Sequence, residues 1–248
     1  MNQKERILSQ IAGGLIVSCQ ALADEPLHSS YIMSRMAVAA KEGGCCAIRA
    51  NSTEDILAIR KAVNLPTIGL IKSMYDDSEV YITPTQSEVE ELVCTDTEII
   101  AVDATQRQRP GGQSLEEFFL PLREKYPDIL FMADCSTVEE GVHAAELGFD
   151  LVGTTLAGYT AYTKDVSLPA IDMMREMVQE SKVPVIGEGG VWSPEDLRKI
   201  FSVGVHAAVV GTAITRPREI TQRFVNALPN RTKSALFFHF VSSESGSY

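Results

Sequence analysis

Two charged side chains stand where apolar runs of the chain end. Lys72 ends the run TIGLIK, and Glu188 follows the run VPVIG and precedes two glycines. A lysine that is partly withdrawn from water has a lowered pKa, so its amine can accept a proton or attack a carbonyl carbon. A carboxylate near that amine can set its charge or share the proton transfer. The pair predicts proton-transfer or Schiff-base chemistry. The alternative is a lysine that extends from the rim into solvent and a glutamate that only pairs with Arg49 or Arg216.

The positions of both residues depend on eight short apolar runs that recur along the chain. Each run is almost continuously apolar rather than alternating, which is typical of strands buried on both faces of a parallel sheet. A longer segment with a helical pattern follows each run. The predicted strands are 15–20, 45–50, 67–72, 98–103, 129–134, 151–156, 184–189 and 207–212. The predicted helices are 32–41, 52–62, 86–92, 114–125, 137–147, 170–181, 194–201 and 217–227, and Thr137 and Glu140 are spaced as in a capping box.

Eight strand–helix units in 248 residues predict a single α/β domain folded as a (β/α)8 TIM barrel. No linker interrupts the series, so we expect one domain over 1–248, with 229–248 as a C-terminal segment and tail. A doubly wound open sheet is the main alternative fold. It is disfavoured because no G-x-G-x-x-G motif follows the first run.

Polar side chains end most of the predicted strands. In a TIM barrel the active site forms at these carboxyl ends, so the polar residues are expected to share one site. Asp103 and Asp134 can bind sugar hydroxyls or an amide there, or they can serve as helix caps or loop braces. The residues at the strand ends are Gln20, Arg49, Lys72, Asp103, Asp134, Thr154, Thr155, Glu188, Gly211 and Thr212.

Glycines after the last two predicted strands indicate a phosphate site. Gly189 and Gly190 follow the seventh run, and Gly211 with Thr212 ends the eighth. Barrels commonly bind phosphate at these loops through backbone N–H groups and the start of a short helix. Arg216, a few residues further on, can supply positive charge.

Composition and charge exclude several classes of function. The net charge of −11 argues against general binding of nucleic acid or of an anionic membrane. No apolar run is long enough for a membrane span, no signal peptide is recognisable, and no cluster has metal-ligand spacing. None of the histidines ends a strand, so we assign no histidine base. The five cysteines form no CxxC pair and are expected to be thiols in a reducing cytoplasm, and Trp192 is expected to pack beneath its loop.

Motifs in nearly the whole predicted barrel resemble one enzyme family. From about Gly13 to Phe224 the chain carries GGLIVSCQALADEPL, AIRANS, PTIGLIK, VYITPT, IIAVDAT, MADCST, VGTTLAGYT, VIGEGG and VVGTAITRP. In this order they strongly resemble the N-acetylmannosamine-6-phosphate 2-epimerases of sialic acid catabolism. GLIVSCQ, TTLAGYT and GTAITRP are the most specific of these motifs.

The resemblance implies roles for individual residues. Lys72 matches the catalytic lysine of the family and Glu188 its catalytic glutamate. Sugar-binding positions are expected at Gln20, Arg49, Asp103, Asp134, Thr155 and Tyr159. Phosphate-binding positions are expected at Gly189, Gly190, Gly211, Thr212 and Arg216. The resemblance also implies a cytoplasmic homodimer, for which the apolar stretch 235–238 is a candidate contact.

The implied reaction interconverts N-acetylmannosamine 6-phosphate and N-acetylglucosamine 6-phosphate. The C2 proton of the open-chain sugar is acidified by the neighbouring aldehyde, so removal to an enolate and return on the other face suffices. No redox cofactor and no metal is required. Two alternatives stay open: a Schiff-base aldolase or lyase that uses the Lys72 amine, and a phosphosugar sensor that binds without turnover.

Two positions depart from the family pattern. The residue after the Glu-Gly pair is usually polar or basic in the family, and here it is Gly190. The turn before the fourth strand usually reads Ala-Gly-Ala-Asp, and here it is Cys94-Thr95-Asp96-Thr97. The first departure lies in the expected phosphate site, and the second is far from the expected chemistry.

Overall fold

A closed barrel of eight parallel strands forms the centre of the protein. The structure is a computed structural model that describes residues 2–229. Each strand pairs with its neighbours in chain order, and β1 closes the barrel by pairing with β8. The strands are β1 Leu15–Cys19, β2 Ala47–Asn51, β3 Thr67–Leu70, β4 Ile99–Asp103, β5 Leu130–Asp134, β6 Leu151–Gly153, β7 Val185–Gly187 and β8 Ala207–Val210. The predicted TIM barrel is confirmed.

Helices surround the barrel, and most of them follow a strand as predicted. They are α1 Gln3–Ile11, α2 Ser30–Glu42, α3 Thr53–Ala62, α4 Gln86–Val93, α5 Leu115–Lys125, α6 Val138–Leu147, α7 Ile171–Glu180, α8 Pro194–Ser202, α9 Thr212–Thr215 and α10 Pro217–Asn226, with a 3₁₀ turn at Pro110–Gly112. The capping box predicted at Thr137 and Glu140 is confirmed. A capping box also begins α8, where Ser193 and Asp196 exchange side-chain and backbone hydrogen bonds.

Alternate residues of each strand face two different cores. Ile16 and Ile99 belong to the cluster inside the barrel, whereas Val17 and Ile100 pack in the layer between barrel and helices. This is why the strand sequences are apolar throughout, since both faces of every strand are covered. The continuous apolar runs therefore predicted the strands, although several strands end earlier than the runs do.

Helix α1 was not predicted from the sequence. Its Ile7 and Ile11 are buried against the cluster inside the barrel, and the carbonyl of Leu8 lies 2.9 Å from Nε2 of His206. The helix carries only a few apolar residues, which gives too short a periodic pattern for recognition. The segment 230–248, including the stretch 235–238, lies outside the described residues.

The structure describes the environment of the cysteines and the length of the helices. The five cysteines, all within residues 2–229, are free thiols. Across the described part of the chain, no helix is long and apolar enough to cross a membrane.

Candidate active site

A cavity of about 490 Å³ opens at the carboxyl ends of the strands. Its walls come from the ends of β1, β2, β7 and β8 and from the loops after β3 and β6. The predicted site residues that line it are Gln20, Arg49, Lys72, Thr155, Tyr159, Glu188, Gly189, Gly190, Gly211, Thr212 and Arg216. Asp103, Asp134 and Thr154 are the predicted strand-end residues that do not line it, and Oγ1 of Thr154 accepts the backbone N–H of Glu188 at 3.0 Å.

Arg49 is the buried cation at the base of this cavity. Only 1% of its side chain is exposed, and its guanidinium binds both oxygens of Asp134, at 3.2 Å and 2.5 Å. Its Nη1 also lies 3.6 Å from Oε2 of Glu188. The two carboxylates raise the pKa of Arg49, so the guanidinium stays charged despite its burial. Asp134, predicted to bind sugar directly, instead orients Arg49 from beneath the cavity.

Thr155 connects the two carboxylates beside Arg49. Its Oγ1 lies 2.6 Å from Oδ1 of Asp134 and 3.1 Å from Oε2 of Glu188. A hydroxyl has one proton to donate, so Thr155 can donate to one carboxylate and accept a hydrogen bond only from a protonated second one. Burial is the main cause that raises the pKa of Glu188, while Arg49 opposes it. The arrangement therefore accommodates a proton on Glu188.

Lys72 lies two residues beyond the last residue of β3. Its backbone N–H donates to Oδ1 of Asn51 at 2.8 Å, and it forms an isolated antiparallel bridge with Ile82. Burial, followed by the positive charges of Arg49 and Arg216, lowers the pKa of Lys72 to about 8, against the opposing effect of Glu188. About a tenth of the amine is therefore neutral at pH 7 and about half at pH 8, which supplies the neutral form that a proton acceptor needs.

The predicted phosphate-binding residues all line the same cavity. Gly189 and Gly190 both have positive φ, at 106° and 70°. Gly211 precedes the four-residue helix α9, and Nη2 of Arg216 lies 2.8 Å from Oε1 of Glu25. The first amides of a helix have no partner within it and are free to bind an anion.

Asp103 was predicted to bind sugar, and the structure assigns it to the loop-brace alternative instead. Its carboxylate accepts hydrogen bonds from Nη2 of Arg107 at 2.7 Å and from Oγ1 of Thr105 at 2.7 Å. The side chain is fully buried away from the cavity. Because both partners follow Asp103 within four residues, the carboxylate serves to fold its own loop.

Two aromatic residues of the cavity were missed or misjudged from the sequence. Trp192, expected to pack beneath its loop, also lines the cavity, and Cζ of Arg223 lies 4.7 Å from the centre of its ring. Tyr81 also lines the cavity. Tyr81 belongs to VYITPT, one of the motifs shared with the family. Because it ends no apolar run, the sequence pattern predicts no role in the site for it.

No histidine of the described residues lines the cavity. Within residues 2–229 there is also no group of histidine, cysteine and acidic side chains that could hold a metal ion. The groups at the site suited to chemistry are thus an amine, a guanidinium and a carboxyl group.

Comparison with known proteins agrees with this site. Residues 33–230 match the family described as "Putative N-acetylmannosamine-6-phosphate epimerase". The chain belongs to this family. The match covers Arg49, Lys72, Glu188 and the glycines Gly189, Gly190 and Gly211.

Individual relatives support the same assignment. Two proteins named "Putative N-acetylmannosamine-6-phosphate 2-epimerase" are similar along most of the chain. One, from Caldanaerobacter subterraneus subsp. tengcongensis, is 50% identical over 228 residues, which cover 92% of this chain and 96% of the relative. Another, from Clostridium perfringens strain SM101, is 53% identical over 222 residues, which cover 90% of this chain and 100% of the relative.

A solved structure is similar in three dimensions as well. The N-acetylmannosamine-6-phosphate 2-epimerase from Clostridium perfringens superposes with a TM-score of 0.85 and 52% identity, over 89% of this chain and 96% of that chain. The resemblance noted in the sequence is therefore confirmed. The similarities favour the epimerase over the aldolase or lyase.

Gly190, the departure from the family pattern, is required by its surroundings. A Cβ at this position would lie 2.3 Å from Cβ of Leu168, a residue that also lines the cavity. Gly111 has a nearly equal φ of 74°, but a Cβ there would meet nothing within 4 Å. An alanine at either position would have a strained backbone, but only at position 190 would its Cβ also collide with a neighbouring side chain.

We expect Gly111→Ala to lower the free energy of unfolding by about 1 kcal/mol, the cost of a positive φ for an L-residue. Gly190→Ala should cost about 2–4 kcal/mol, because Leu168 must also move. It should also raise KM for a sugar phosphate, which Gly111→Ala should not. Urea unfolding and steady-state kinetics measure both effects. Equal losses of stability would show that Leu168 yields without cost.

Proposed function

We propose that the protein interconverts N-acetylmannosamine 6-phosphate and N-acetylglucosamine 6-phosphate by proton transfer at C2. One observation carries the proposal. In a chain of this family, the amine of Lys72, with its pKa lowered to about 8, shares a cavity with Glu188, Arg49 and the phosphate-binding glycines.

The reaction needs a base for the C2 proton of the open-chain sugar. Neutral Lys72 takes that proton and becomes an ammonium, while the C–H electron pair forms the C1–C2 double bond of an enolate. Negative charge then develops on the C1 oxygen, where the Arg49 guanidinium can stabilise it. The carbonyl reforms when a proton returns to the opposite face of C2.

The returning proton has two candidate donors. Lys72 can return it after the enolate turns, or a protonated Glu188 can deliver it from the other side. Burial is the largest cause that raises the pKa of Glu188, which supports the carboxylic acid as a donor, whereas the hydrogen bond from Thr155 favours the ionised form. We favour the two-group route, in which Lys72 and Glu188 face opposite sides of C2.

Substrate binding is assigned to the two ends of the cavity. Gly189, Gly190, Gly211, Thr212 and Arg216 bind the phosphate, far from C2, so that binding energy at that end holds the reacting carbon in place. Gln20 lines the cavity, and its Oε1 is buried without a hydrogen-bond partner among the described residues. A sugar hydroxyl or amide N–H would satisfy that oxygen.

Proton NMR in D2O tests the proposal directly. With N-acetylmannosamine 6-phosphate we expect N-acetylglucosamine 6-phosphate to appear with deuterium at C2. Lys72→Met should slow this conversion by at least about a hundredfold, the usual contribution of a general base. Lys41→Met, at an exposed position of α2, is the matched control and should convert at the wild-type rate.

The same spectra distinguish the contributions of the two acid–base groups. If Glu188→Gln still exchanges the C2 proton but forms little product, Glu188 is the second proton donor. Normal turnover by Lys72→Met would refute the mechanism. Signals from pyruvate or a shortened sugar would replace the epimerase with a lyase.

The activity should depend on pH through Lys72. Because only the neutral amine accepts a proton, kcat/KM should rise about tenfold per pH unit below about pH 8 and flatten above it. The positive charge of Arg216 lowers the pKa of Lys72, so Arg216→Gln should move the midpoint to higher pH. The assignment would be contradicted if kcat/KM fell as pH rises towards 8, or if Arg216→Gln left the midpoint unchanged.

We also propose that the protein is a homodimer that works in the cytoplasm. Helix α10 has no buried residue, and its Phe224 is 73% exposed, as is expected for a face covered by a second copy. Light scattering should give twice the chain mass of 27.1 kDa, and Phe224→Ser should weaken the dimer. A monomer at micromolar concentration would refute the dimer.

The free thiols suit a reducing compartment such as the cytoplasm, and recovery of the protein in a secreted fraction would refute that location.

A further inference from the structure

Tyr81 presents a hydroxyl to the cavity that the mechanism above leaves without a role. The residue lines the cavity together with Lys72 and Thr155. Among the described residues its hydroxyl forms no hydrogen bond, although its ring is partly buried and Cζ of Arg107 lies 5.9 Å from the ring centre. A partly buried hydroxyl without a partner gains most from a ligand that supplies one.

The loop that carries Tyr81 is held firmly against the barrel. The backbone carbonyl of Tyr81 accepts the N–H of Ser73 at 3.0 Å, and the carbonyl of Ile82 accepts the N–H of Asp103 at 3.0 Å. The buried guanidinium of Arg109 also binds the carbonyls of Thr83 and Pro84, at 2.6 Å and 2.9 Å. Tyr81 is therefore fixed next to Ile82, which forms a bridge with Lys72.

The charges around Tyr81 make it a donor to a neutral group. Burial, followed by the carboxylates of Asp103 and Asp134, raises the pKa of Tyr81 to about 12, so the hydroxyl keeps its proton. Arg107 partly offsets these carboxylates, but the net effect of burial and charge still disfavours an enolate oxygen at this place. That oxygen is better placed at Arg49. A neutral carbonyl oxygen can accept from Tyr81 without this penalty.

On C2 of the substrate, the neutral carbonyl is the one in the N-acetyl group. We propose that the Tyr81 hydroxyl donates a hydrogen bond to this carbonyl oxygen and thereby selects 2-acylamino sugar phosphates. Ile82 and Leu168, which line the same cavity, offer apolar surface for the acetyl methyl group. The inference rests on the function proposed above, because it assumes that a 2-acetamido sugar phosphate occupies the cavity.

Calorimetric titration of two ligands tests the inference. Wild-type protein and Tyr81→Phe are titrated with N-acetylglucosamine 6-phosphate and with glucose 6-phosphate, which has no amide. Tyr81→Phe should bind the N-acetyl ligand about five- to tenfold more weakly, the usual loss for one hydrogen bond, and bind glucose 6-phosphate within about twofold of wild type. Tyr31→Phe, at an exposed tyrosine of α2, is the matched control and should change neither affinity.

The outcomes separate this inference from the proposed function. Because the Tyr81 hydroxyl binds nothing in the described chain, Tyr81→Phe should keep the wild-type melting temperature. Equal weakening of both ligands, or no weakening of either, would overturn the selection of the acetyl group. So would a fall in kcat with unchanged affinity, which would assign Tyr81 to the enolate oxygen. Failure of wild-type protein to bind the N-acetyl ligand would instead refute the proposed function.

Discussion

The buried guanidinium of Arg49 is the interaction on which the rest of the site depends. A fully buried charge is costly unless it is paired and hydrogen-bonded, and Asp134 binds both Nη atoms of Arg49, while Nε has no hydrogen-bond partner among the described residues. Both oxygens of Asp134 bind Arg49, with Oδ1 also accepting from Thr155, and Glu188 lies at the longer distance of 3.6 Å from the guanidinium. Asp134 therefore neutralises Arg49, while Glu188 is free to change its protonation.

The pKa values of two neighbouring groups are shifted in useful directions, one with the help of Arg49 and the other against its effect. Arg49 repels a proton from Lys72, which adds to burial and lowers the pKa of that amine. Burial raises the pKa of Glu188 more than Arg49 lowers it. The amine thus becomes easier to deprotonate and the carboxyl group easier to protonate. Pairs of groups whose pKa values move together in this way are typical of acid–base sites.

The fold and the main chemistry were predictable because they follow from the pattern of apolar runs. Strands buried on both faces are continuously apolar, and the polar residues that end them must meet at one end of a closed barrel. Lys72, Glu188 and the glycines were found in this way.

The different roles of Asp103 and Asp134 could not be predicted from the sequence. They are register partners on β4 and β5, and each ends an apolar strand. Only the contact with Arg49 from β2 distinguishes them, and that contact is set by tertiary structure.

Residues on loops were harder to predict for a related reason. Tyr81 enters the cavity because Arg109 and the bridge to Lys72 fix its loop, and no local pattern encodes those contacts. Trp192 was likewise judged from its apolar character alone.

Gly190 differs, since its departure from the family pattern has a local cause that only the structure reveals. Leu168 occupies the space that a side chain at 190 would need, so this chain has apolar surface at the cavity rim where the family usually has a polar group. In the proposed site, phosphate binding therefore depends more on backbone amides and Arg216, and the charge of Arg216 also influences the pKa of Lys72. Anchoring the phosphate and setting the base are consequently linked through one arginine.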